Sequence, residues 1–66
     1  MDTPYTIRTG RDLAAERVRR ALRQRDIAAA LGVSVRRIGA LEWQGRPTPR
    51  MIARYLAAIE QARRDR

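Results

Sequence analysis

The side chains able to do chemistry in this 66-residue chain are guanidinium groups: all fifteen basic residues are arginine, against seven carboxylates, for a formal net charge of +8. A surplus of that size draws a polyanion to the protein, and nucleic acid is the first candidate. Arginine's planar fork suits phosphate oxygens and guanine edges, where lysine offers only a point charge. A GC-rich coding sequence would also enrich arginine, so composition alone leaves both explanations open. Other chemistries are poorly served. The chain has no histidine and no cysteine, Ser34 is its only serine, and the acids fall singly as helix caps and pair partners. Neither a nucleophile–base constellation nor a zinc site can be assembled from that set. The expectation is a protein that is not an enzyme and uses no metal, cofactor or small molecule.

The elements that must position the arginines read as helices. Residues 1–8 read as an N-terminal arm and residues 9–66 as one helical domain. Thr9 and Asp12 form a weak capping box opening a helix from about Gly10 to Leu22, with Leu13, Ala14, Val18, Ala21 and Leu22 as its apolar stripe. A second helix, from about Gln24 to Leu31, turns Ile27, Ala28 and Leu31 inward and stops at Gly32, which tolerates left-handed backbone. Ser34 caps a third helix from about Val35 to Trp43, which shows the core only Ile38 and Leu41 and leaves Val35, Arg36, Arg37, Gly39 and Ala40 outward. The run Gln44 to Pro49 has a glycine and two prolines and forms a loop. Pro49 then sits in the first turn of a fourth helix, whose Met51, Ile52, Tyr55, Leu56 and Ile59 keep helical spacing.

The fold class is therefore all-α, a compact bundle of four to five helices. A domain this short buries only about 60% of the surface its unfolded chain exposes, and it has no disulfide or metal staple. Self-association would bury more. Met51, Tyr55 and Ile59 are core by default, but the fourth-helix stripe is wider than one small domain needs, so Tyr55, Ile59 and Trp43 are also candidates for a homodimer interface, with core filling or a DNA contact as the other readings of Trp43. No apolar run approaches the roughly 18 residues of a membrane span. Met1 to Arg8 lacks the apolar centre of a signal peptide, and the absence of cysteine fits a reducing cytoplasm.

The most informative stretch is LRQRDIAAALGVS, Leu22 to Ser34, followed by VRRIGALE. It resembles the Cro/cI-type (XRE) helix-turn-helix family, whose typical line it matches without a gap at Leu22, Gln24, Ile27, Ala28, Leu31, Gly32, Val33, Ser34, Ile38, Leu41 and Glu42. The resemblance implies a lambda-repressor-like bundle and a DNA-binding transcriptional regulator. That regulator would be a repressor or autorepressor of a bacterial or phage-infected cell, cytoplasmic and on the nucleoid. Two copies would meet a palindromic operator on double-stranded DNA through the major groove, with half-sites about 34 Å apart.

The same resemblance implies individual roles. Val35, Arg36, Arg37 and Ala40 would meet bases, Arg36 at a guanine edge or else at a phosphate, Val35 and Ala40 at thymine methyls, Arg37 at a base or the backbone. Gln24, Arg23, Ser34, Arg46 and Arg50 would hold the DNA backbone, and Arg17 would pair with Glu42 to join the first and third helices. Two features depart from the family: Arg23 stands where it places a serine or threonine cap, and Trp43 and Gln44 precede Gly45 where it has glycine two residues after the glutamate. The ending GRPTPRMIARYLAAIE is also similar to some phage-linked, anti-CRISPR-associated autorepressors. The rival expectation is an antitoxin or adaptor that uses this fold to hold a protein partner.

Overall fold

Caps decide where each helix starts in the computed structural model, which describes residues 6–65. Residues 1–5 of the expected arm, and Arg66, lie outside the described residues. At the start of α1 (Gly10–Arg19), the Asp12 amide donates to Thr9 Oγ1 (3.1 Å), while the Thr9 and Arg8 amides donate to Asp12 Oδ2 (3.0 and 2.8 Å). For α2 (Gln24–Leu31), Arg23 has no side-chain acceptor to cap with, and Asp26 supplies the cap by accepting from the Arg23 amide at 2.7 Å. Ser34 opens α3 (Val35–Leu41) by accepting from the Arg37 amide at 3.1 Å. Thr48 does the same for α4 (Pro49–Arg64) at the Met51 amide, with Pro49 in the first turn, where its missing N–H is no loss.

Two left-handed residues end the first two helices. Gly32, at φ 72°, closes α2 at no steric cost. Ala21, at φ 59°, closes α1, where the Leu22 amide donates to the Arg17 carbonyl at 3.1 Å and the Ala21 amide to the Val18 carbonyl at 2.9 Å. The first helix is therefore shorter than the expected Gly10 to Leu22. The reversal buries Leu22 to 3% exposure and leaves Val18, expected on the inner stripe, 62% exposed.

The four helices form an all-α bundle with no strand among the described residues. The core comprises Leu13, Leu22, Ile27, Ala28, Ile38, Leu41, Tyr55, Ala58, Ile59 and Ala62, with Ile7, Leu31, Met51, Ile52 and Leu56 half-buried around it. Packing of α2 on α4 is the largest helix contact, followed by α2 on α3, with α1 also resting on α4. No described helix is long and apolar enough to cross a membrane.

This packing corrects the expectation that Tyr55 and Ile59 face a dimer partner, and it removes the core-filling reading of Trp43. Tyr55 is 0% and Ile59 2% exposed, so the width of the fourth-helix stripe is used inside one chain and neither side chain is available to a partner. Trp43 is not core filler: α3 stops at Leu41, and the indole is 73% exposed. The early stop has a tertiary cause. The Gly10 amide donates to the Gln44 carbonyl at 2.7 Å, seating the start of α1 against the end of α3. A Cβ on Gly10 would collide with the Leu41 carbonyl oxygen and lie 2.6 Å from the Glu42 carbonyl carbon, so only glycine permits this approach.

Candidate functional site

Glu42 follows α3 and is 1% exposed, which puts a carboxylate in the interior. A buried charge is tolerable only when paired and hydrogen-bonded on every side. Arg17 of α1 grips it with both ends of its fork, Nε to Oε2 at 2.8 Å and Nη2 to Oε1 at 3.1 Å, and spends Nη1 on the Leu22 carbonyl at 3.0 Å. Gln24 of α2 donates its amide to Oε1 at 3.0 Å, and the Tyr55 hydroxyl of α4 donates to Oε2 through a short bond. Arg11 donates Nε to the Glu42 backbone carbonyl at 3.0 Å, with its Nη2 3.7 Å from Oε1. One carboxylate thus ties the end of α3 to the other three helices, and no buried side-chain nitrogen or oxygen among the described residues lacks a partner.

The titration behaviour follows from this geometry. Burial alone would raise the Glu42 pKa, but the bonds from Arg17, Tyr55 and Gln24 and the Arg17 charge outweigh it and hold the carboxyl below the usual glutamate range. Bonding to Glu42 raises Arg17 despite its own burial. Burial, then the adjacent carboxylate, pushes the Tyr55 phenol far above its ordinary value. The cluster stays ionised as Arg17⁺ and Glu42⁻ with a neutral Tyr55 at physiological pH. It is a structural device with no titrating group left for acid–base chemistry.

With its inner side held this way, α3 presents its other side to solvent. Val35 (45% exposed), Arg36, Arg37 and Ala40 all lie open, whereas Ile38 and Leu41 are buried. The structure therefore leaves all four side chains expected at bases exposed around the solvent side of α3. Arg23, Arg46 and Arg50 are exposed as well. Ser34 is exposed but its Oγ is occupied in capping. Gln24 is half-buried with one amide hydrogen committed to Glu42, so it braces the interior with one donor and has the other uncommitted.

At the C-terminal ends of α1 and α4, Arg19 and Arg20 pair with Glu16 and Arg63 pairs with Glu60, whereas Arg64 only approaches the Gln61 side-chain oxygen at 3.5 Å. Arg23 and Arg25 at the start of α2, Arg36 and Arg37 at the start of α3, and Arg46 and Arg50 at the approach to α4 have no ion-pair partner among the described residues. Helix N-termini carry partial positive charge and favour acidic side chains, so six unpaired arginines there work against stability. No group of described residues could hold a metal ion.

Three members of the cluster, Tyr55, Arg11 and Gln24, are not legible as such in the sequence. Tyr55 was visible as part of an apolar stripe, and the usable signal was that a buried tyrosine hydroxyl needs a partner. For Arg11 and Gln24 no local spacing points to Glu42. Comparison with known protein-family models, with curated proteins and with solved structures finds no match.

Proposed function

We propose that this chain is a sequence-specific regulator that binds double-stranded DNA, with α2, the turn through Gly32, Val33 and Ser34, and α3 acting as a helix-turn-helix. The observation that carries the reading is the exposed, uncompensated pair Arg36 and Arg37, at the start of a helix whose opposite side is anchored through Glu42. The major groove, about 12 Å wide, admits an α-helix, and an arginine there bonds guanine O6 and N7 in bidentate fashion. Arg36 has that task. Val35 and Ala40 offer the apolar contacts suited to thymine methyls, and Arg37 reads a base or steadies the backbone.

Arg23, Arg46 and Arg50 neutralise phosphates, and the second amide hydrogen of Gln24 is left for another. Rigid support matters because reading depends on placing a guanidinium to within a fraction of an ångström, and the Glu42 cluster supplies that rigidity. The protein acts by occupying its site, as a repressor does. Selection of duplexes from a random pool, followed by anisotropy titration of the winner at several salt concentrations, tests the proposal. The expected results are an enriched motif and a log–log salt slope of about −3, from roughly 0.9 counterion released at each of three backbone arginines. An unenriched pool with a flat salt response would overturn it.

A further inference from the structure

We infer that Trp43 is a stacking platform for an unpaired nucleobase of a polynucleotide strand, with the adjoining phosphate held by Arg46. The inference rests on the proposed reading only in taking a polynucleotide as the partner. The chain's one tryptophan is 73% exposed. The ring is not loose. The Arg11 guanidinium lies over it, 4.4 Å from its centroid, and is itself fixed by the 3.0 Å bond to the Glu42 carbonyl. A ring stacked on one face keeps such exposure only if the other face is open, so Trp43 presents a flat, pre-oriented surface to solvent.

The surroundings select the occupant. Arg46 lies three residues on, its Cα within about 11 Å of that of Trp43, in a loop pinned by the buried Pro47. Glu42, the nearest acid in sequence, is interior and already neutralised by Arg17. A second copy of a chain carrying +8 would bring like charges against Arg11 and Arg46. A polyanion with aromatic bases satisfies both halves of the site, the base on the indole and the phosphate on the guanidinium. A paired base inside a duplex keeps its faces covered by its neighbours, so the site takes single strands, strand ends or bases extruded from a duplex.

Because Trp43 is the only tryptophan, its emission reports on this site alone. The experiment titrates the full chain with a short oligothymidylate and with an abasic oligonucleotide of equal length and charge, and repeats both with Trp43→Leu and Trp43→Phe. The expected result is emission quenched by oligothymidylate and not by the abasic strand. Affinity should fall about ten-fold or more in Trp43→Leu and be largely retained in Trp43→Phe, with the melting temperature unchanged. Binding without quenching, equal affinity of Trp43→Leu and parent, or emission that shifts with protein concentration in the absence of DNA would overturn the inference, the last by assigning the surface to a second copy. Arg36→Ala separates the two proposals: it should keep the quenching by oligothymidylate while losing duplex preference.

Discussion

Replacing Glu42 by alanine removes the acceptor for Arg17, Gln24 and Tyr55 at once and leaves Arg17, only 13% exposed, as an uncompensated interior charge. Breaking a buried pair from one side costs roughly 3–5 kcal/mol. A chain of this length has a total stability of roughly 3–10 kcal/mol, so the variant should be near or past the edge of folding. At about 4–8 °C per kcal/mol for a small domain, the lower bound of the cost is a drop of roughly 12–24 °C in Tm. Thermal unfolding followed by far-UV circular dichroism at neutral pH reads it directly. The double variant Arg17→Met, Glu42→Leu should lose less than the sum of its single changes, because removing both charges leaves no stranded charge, although the Tyr55 hydroxyl and the Gln24 amide still lose their acceptor. A Glu42→Ala protein that melts within a few degrees of the parent would refute the reasoning and show that the cluster does not anchor α3.

The remaining predictions concern pH and backbone. Glu42 is held below its unfolded value of about 4.3, so on acidification the unfolded chain binds the proton first. The cluster's contribution is therefore complete above that value and is lost as pH falls through the folded one; the parent's Tm should drop below about pH 4 more steeply than that of Glu42→Gln. Gly10→Ala pushes a methyl into the Leu41 carbonyl and should cost about 1–3 kcal/mol, read as a lower Tm with unchanged helical content at low temperature. Ala21→Gly relieves a left-handed alanine at φ 59° and should raise stability by about 1 kcal/mol in urea unfolding.

Local signals in the chain were readable because caps and breakers act over three or four residues. Thr9 with Asp12, Gly32, Ser34 and Pro49 each mark a helix boundary where the structure has one. The partnership of Arg17 with Glu42 came from a resemblance spanning 25 positions, since nothing local links α1 to the end of α3. What stayed hidden depends on tertiary contact. Periodicity marked Tyr55 and Ile59 as apolar but could not say whether one chain or two would cover them. The end of α1 carries alanine, not glycine, at its left-handed position, so the helix read three residues too long. The outward placement of Trp43 follows from the Gly10 amide reaching the Gln44 carbonyl across the bundle.

A competition titration decides whether Arg36 reads a base from a helix held rigid behind it. Parent and Arg36→Ala are each titrated against the selected duplex and against copies changed one base pair at a time. Arg36→Ala should bind the selected duplex roughly 5- to 150-fold more weakly, corresponding to about 1–3 kcal/mol for one bidentate contact, and become indifferent at one base pair while keeping its preferences elsewhere. A uniform loss across all duplexes that preserves the parental order of preference would contradict base reading, leaving Arg36 as a phosphate contact.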